Sequence, residues 1–181
     1  MMNLTSLERV LNIKLKEYKE YIAAHHYYVI GVFIFLPMIV SKIAILIGVT
    51  NIGFVSPWEI SYRTAFGGAE GYTLTMVMYW VMSPLVFLWA YSKANYKKVP
   101  SQKAIVAIPV CWLLLIVFGV FVFEGVSASS LEHPVKSLEK IFLYGRWYVG
   151  FCLLYGGLVF AFIFNFFATL SLTLRLIFKR L

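Results

Sequence analysis

Residues 27–49 read YYVIGVFIFLPMIVSKIAILIGV, with a single charge, Lys42. At the rise of an α-helix, about 20 mostly apolar residues cross the hydrocarbon core of a bilayer. Three more runs meet that requirement, at 72–91, 104–123 and 147–170. The last of these reads WYVGFCLLYGGLVFAFIFNFFATL, and its helix is expected to continue toward Leu181. The pattern predicts an all-α membrane protein, a four-transmembrane-helix bundle occupying residues 27–181.

Composition points the same way. The chain has 181 residues, 61% hydrophobic and 18% aromatic, with only 13% charged. A soluble domain carries about 25% charged residues, and a soluble fold of this size could not bury so much apolar surface. The length suits one domain. Every acid is Glu and Asp is absent, which excludes membrane enzymes that need an Asp pair or an Asp-held metal. The net charge of +8 is read as a topology signal and not as a nucleic-acid footprint.

Ahead of the first run, residues 1–26 form a separate segment. Leu7, Val10, Leu11, Leu15, Tyr18 and Ile22 recur at helical spacing, opposite Glu8, Arg9, Lys16, Lys19 and Glu20. Thr5 and Glu8 fit a capping box. An amphipathic helix over 4–24 is expected, lying on the inner leaflet or docking a cytoplasmic partner. The segment is too polar for a cleavable signal, so the run from Tyr27 is expected to serve as an uncleaved anchor.

Loop charges orient the bundle. The N-terminal segment, the linker with Lys93, Lys97, Lys98 and Lys103, and the tail with Arg175, Lys179 and Arg180 hold eleven cations. The other two loops hold four, Arg63, Lys136, Lys140 and Arg146. The inside-positive bias then places both termini in the cytoplasm, and an even number of spans agrees. Tyr27, Tyr28, Tyr72, Trp89, Tyr91, Trp147 and Tyr148 fall near span ends, where aromatic belts form. Pro37, Pro84 and Pro109 lie within spans. Each removes a donor and bends its helix, a cost tolerated where neighbours repair the hydrogen bonds.

The candidate site residues gather on the outer side. Lys42 sits inside span one, Glu124 closes span three, Arg146 opens span four, and Glu59, Arg63 and Glu70 lie in the first outer loop. A charge at membrane depth usually has a partner or a task. Lys42 can snorkel to the headgroups, a Lys42–Glu124 or Glu124–Arg146 pair would join helices, and direct contact with a partner is the third option. In span four, Gly157-x-x-x-Ala161 with Asn165 suggests close helix packing, within the bundle or between two copies. The outer loop 66–71, FGGAEG, is flexible by composition and carries no phosphate-binding pattern.

Catalytic signatures are missing. Cys111 and Cys152 are unpaired in sequence and lie in apolar runs, and His25, His26 and His133 cannot share one metal or haem. No catalytic residue, cofactor or metal ligand is therefore assigned. The disulfide-generating quinone reductases need paired outer cysteines, and lipoprotein signal peptidases need two aspartates. Cytochromes of the b type need histidines within spans, and small multidrug exporters a Glu in the first span.

The layout resembles that of the colicin A-type immunity proteins, small basic inner-membrane proteins that protect a bacterium from its own pore-forming bacteriocin. The similarity runs through Ser83-Pro84 to Lys98 and Pro134-Val135-Lys136 to Leu181. It is one of layout and residue type, so no family residue is carried over. It implies four spans, cytoplasmic ends in the bacterial inner membrane, and recognition of another membrane-inserted protein with no catalysis. Superinfection exclusion, service as an accessory subunit, and transport of a small solute along Lys42 and Glu124 are the alternatives.

Overall fold

The computed structural model describes residues 4–93 and 101–180, with side chains at 13–92, 103 and 105–177. Lys97 and Lys98 of the basic linker lie outside the described residues, as do the side chains of Thr5, Glu8, Arg9, Lys93, Lys179 and Arg180. The described residues are mostly helical, with no strand among them.

The N-terminal segment forms α1, Leu4–Ala24. Helix α2 spans His26–Leu46 and turns out through Gly48, whose φ is +88°. The second candidate span is broken into α4, Tyr72–Val81, and α5, Ser83–Lys93. The break at Met82 precedes Pro84, which lacks the N–H that would continue the ladder. Helix α6 spans Ser101–Glu124 and passes Pro109 without interruption. Helix α9, Tyr148–Arg180, runs for 33 residues, the expected extension beyond residue 170. Four helical stretches are long and apolar enough to cross a membrane: His26–Leu46, Tyr72–Ser92, Ile105–Glu124 and Tyr148–Ile177.

The connecting segments hold structure that periodicity did not suggest. Helix α3 spans Pro57–Phe66 between α2 and α4. Helices α7, Ala128–Glu132, and α8, Ser137–Phe142, lead into a 3-10 turn over Leu143–Arg146. Together they close one end of the bundle, called here the loop end. Helix α1 packs beside α5 near the opposite end, where Lys19 Nζ lies 5.3 Å from the centre of the Tyr91 ring.

Helix α9 is the hub, in contact with α2, α4, α5 and α6. Its buried face repeats at helical spacing through Phe151, Tyr155, Val159 and Ile163, the periodicity of a core stripe. Gly156 lets α4 approach, because a Cβ there would meet the Tyr79 ring at 2.7 Å. Gly157, the residue expected to pack, faces open space with nothing within 4 Å. The small-residue contact within the chain is thus one position earlier than the Gly157-x-x-x-Ala161 pattern implied. Asn165 does join helices, donating from Nδ2 to the Cys111 carbonyl of α6 at 2.8 Å.

Burial is uneven. Of the most apolar eighteen residues in each span, 44% are buried in α9 but only 6% in α6. Helix α6 leans on α9, meets Trp58 and Phe142 at its loop end, and leaves most of its length exposed.

Pro37 lies within α2 without breaking it. Pro37 lacks the N–H that would reach the carbonyl one turn earlier. Neighbouring hydroxyls take up carbonyls around it: Tyr79 donates to Ile34 at 3.0 Å and Tyr148 to Met38 at 2.8 Å. These inter-helix donors tie α2 to α4 and α9 on either side of the proline.

Candidate functional site

The loop end is built around α3, and α3 begins with a signal visible in the sequence. Ser56-Pro57-Trp58-Glu59 places an N-cap serine before a proline at the first helical position, where its missing N–H costs nothing. Ser56 Oγ accepts from the Glu59 N–H at 3.2 Å. The Glu59 carboxylate does not reach back to Ser56 as a capping box would have it. It turns to α4 instead, where Oε2 accepts from the Thr73 N–H at 2.6 Å and Oε1 from the Gly71 N–H at 3.3 Å. Thr73 Oγ1 in turn accepts from the Ser56 N–H at 2.9 Å. Each helix therefore caps the other, and the negative carboxylate sits at the positive end of α4.

Arg63, one turn along α3, pairs with Glu59 Oε1. Glu59 is 1% exposed and the Arg63 side chain 40%. Both were expected as partner-binding residues. Glu59 has almost no surface to offer, and its carboxylate is occupied by the cap and the ion pair. Arg63 holds that carboxylate from the solvent side.

Aromatic side chains lock this cap to the other helices. Trp58 is fully buried and donates Nε1–H to the Phe121 and Val122 carbonyls at the end of α6, at 3.0 and 3.2 Å. Its ring meets those of Phe142, Phe151 and Tyr155 edge-on. Gly125, with φ of +76°, turns the chain where a Cβ would press within 3.2 Å of the indole. Tyr62 donates to the Phe142 carbonyl at 2.5 Å, and Tyr72 to Gly145 at 3.0 Å. Burial, with Tyr72 nearby, pushes the Tyr62 hydroxyl above the ordinary phenol range, so it stays a donor. Tyr72 was expected in an interfacial belt, and it is in the core at 3% exposure. Tyr27, Tyr28, Tyr91 and Trp147 do remain exposed.

The other predicted residues are spread out. Lys42 is exposed on α2, with Nζ 4.9 Å from the centre of the Tyr148 ring. That is a cation–π contact. It joins α2 to α9 where a Lys42–Glu124 ion pair had been considered. Arg146 is exposed and lies over the Trp147 ring at 5.4 Å. Glu70 and Glu124 are exposed as well. Neither Lys42–Glu124 nor Glu124–Arg146 is a salt bridge; among the described residues, the ion pair seen is Arg63–Glu59. The six residues do not converge on one cleft.

Sequence reasoning passed over Trp58, Tyr62 and Tyr79. Ser56-Pro57-x-Glu59 could have revealed α3. The partners of the three aromatics lie 45 to 80 positions away in sequence and left no local trace.

The fold and site define a class: an all-helical chain with four helices long and apolar enough for a membrane, closed at one end by mutually capped helices. No protein family, curated protein or solved structure matches the chain.

Proposed function

We propose that this chain is a polytopic protein of the bacterial inner membrane, with both termini cytoplasmic, that acts by recognising another protein within the bilayer. In its sharp form it confers immunity to a pore-forming bacteriocin. The observation that carries the proposal is the exposure of α6. A span with 6% of its apolar window buried and one main helical neighbour leaves a broad apolar surface for a second helix. Leu113, Ile116 and Val120 form part of it, at 62%, 61% and 46% exposure.

Two further features support recognition over transport. The space between α2, α4 and α9 is filled by Phe33, Tyr79, Phe151, Tyr155 and Val159, all at 0% exposure. Lys42 and Glu124, the residues a solute path would need, are both exposed, and Lys42 lies against the Tyr148 ring. The mutual cap at the loop end gives the bundle a fixed frame, as a pre-organised docking surface requires. A pore-forming domain arrives as apolar helices, and helix-on-helix packing through small and apolar side chains is how they would be met.

The test is protection. Cells with and without the chain are challenged with purified pore-forming domains from several bacteriocins, and potassium efflux is recorded. Protection against one domain is expected, together with its loss in a Leu113→Ser/Ile116→Ser variant that still reaches the membrane. Equal efflux with and without the chain for every domain would remove the immunity form.

A further inference from the structure

At the loop end, α8, the 3-10 turn and the first turn of α9 border an open groove of about 660 Å³ whose lining includes Lys140, Leu143, Tyr144, Arg146, Trp147 and Val149. We propose that this groove is a specific site for an anionic phospholipid, its phosphate held by Lys140 and Arg146 and its acyl chain laid along Val149 and Leu143. The inference rests on α9 spanning a membrane and not on recognition of a protein partner.

Charge is the first argument. Lys140 and Arg146 both line the groove, and no acid does. The nearest acid along the chain, Glu139, is engaged elsewhere. Its carboxylate accepts from the Val135 and Lys136 N–H groups at 3.1 and 3.2 Å. Two cations without a lining carboxylate suit a phosphate, and arginine can take it through two parallel hydrogen bonds.

Depth is the second. Tyr144 and Trp147 are 71% and 65% exposed and stand where the fourth apolar helix begins. Large exposed rings beside a span mark the headgroup level, where an aromatic body meets lipid and a polar tip meets water. Leu143 and Val149 line the same groove as the cations. An apolar lining of that kind beside a cation pair matches an amphiphile better than a soluble anion.

The third argument is that the groove is shaped by a residue with no freedom. A Cβ on Gly150 would stand 2.0 Å from the Tyr144 carbonyl oxygen. Only glycine lets the 3-10 turn lie directly against α9, and both Gly150 and Tyr144 line the groove.

The full chain is purified in mild detergent and offered phosphatidylglycerol or phosphatidylcholine of identical acyl chains, with bound lipid counted by native mass spectrometry. One phosphatidylglycerol is expected to survive where phosphatidylcholine does not. A Lys140→Gln/Arg146→Gln variant is expected to lose about tenfold or more of that retention, the scale of a lost charge-assisted hydrogen bond. A Val149→Trp variant fills the groove without touching its charges, and it too should lose the lipid. Lys14→Gln/Lys16→Gln, at the other end, should leave retention unchanged. Equal retention of both lipids, or an anionic preference unmoved by both groove variants, would overturn the site. So would a photo-crosslinker at Trp147 that labels a protein in place of phospholipid in native membranes. None of these outcomes bears on protection from a toxin, so the two proposals fail separately.

Discussion

Replacing Glu59 by alanine is expected to be among the most damaging single changes at the loop end. The carboxylate is 1% exposed and is the acceptor for the Thr73 N–H at 2.6 Å and the Gly71 N–H at 3.3 Å. A short hydrogen bond to a charged acceptor contributes about 1.5–3 kcal/mol, and the longer bond to Gly71 adds less than about 1 kcal/mol. Arg63 is 40% exposed and regains water when its partner leaves, so its loss of pairing counts for about a few tenths of a kcal/mol. The total is about 2–4 kcal/mol. Glu59→Gln keeps one acceptor oxygen and should cost about half as much. Arg63→Ala leaves the cap intact and should cost about 1 kcal/mol, well short of a fully buried pair. Unfolding in mild detergent, followed by the near-ultraviolet circular dichroism of the adjoining Trp58, reports all three. Alanine at 59 matching the parent protein, or Arg63→Ala costing more than Glu59→Ala, would refute the reasoning.

Three further outcomes follow from the geometry. Gly156→Leu should prevent α4 from meeting α9, while Gly157→Leu should leave the folded monomer intact, as thermal stability of the two variants will show. Asn165→Leu removes the α9–α6 bond at Cys111 and should weaken the hold on α6 by about 0.6–2 kcal/mol, read as faster proteolysis between α5 and α6. The carboxyl of Glu139 is held below the usual range by hydrogen bonds from the Lys136 and then the Val135 backbone. A depressed folded pKa stabilises above the ordinary carboxylate pKa of about 4.3 and is lost as pH falls through the folded value. Hydrogen exchange at the Lys136 amide should therefore gain protection as pH rises past that range, after correction for intrinsic rates, and Glu139→Gln should flatten the change.

The long helices were legible because each rests on a local property. A run such as 104–123 carries its apolar character within one segment, and its observed bounds fall within a few residues of the expected ones. The break at Met82 was readable in kind from Pro84. Helix α3 was half-written, in Ser56-Pro57-x-Glu59, and its short length hid it from a search for span-length runs. The site was less legible. Glu59 looked like a surface charge because nothing near it in sequence announces that Gly71 and Thr73 will present bare amides to it. Lys42 was expected to snorkel, to pair with Glu124 or to meet a partner, and the ring it found belongs to Tyr148, more than a hundred residues on. Gly156 and Gly157 are chemically identical neighbours, and the 100° between them on a helix decides which one meets Tyr79.

Recognition through the outward face of α6 is tested most directly by site-specific photo-crosslinking in native membranes. Probes are placed at Leu113 and Ile116 on α6 and at Ile39 on α2, all exposed, in cells challenged in turn with the pore-forming domains of the protection assay. In-bilayer recognition predicts a discrete protein adduct from the α6 positions that contains the pore-forming domain, and lipid adducts alone from Ile39. Lipid adducts alone from every position would contradict it.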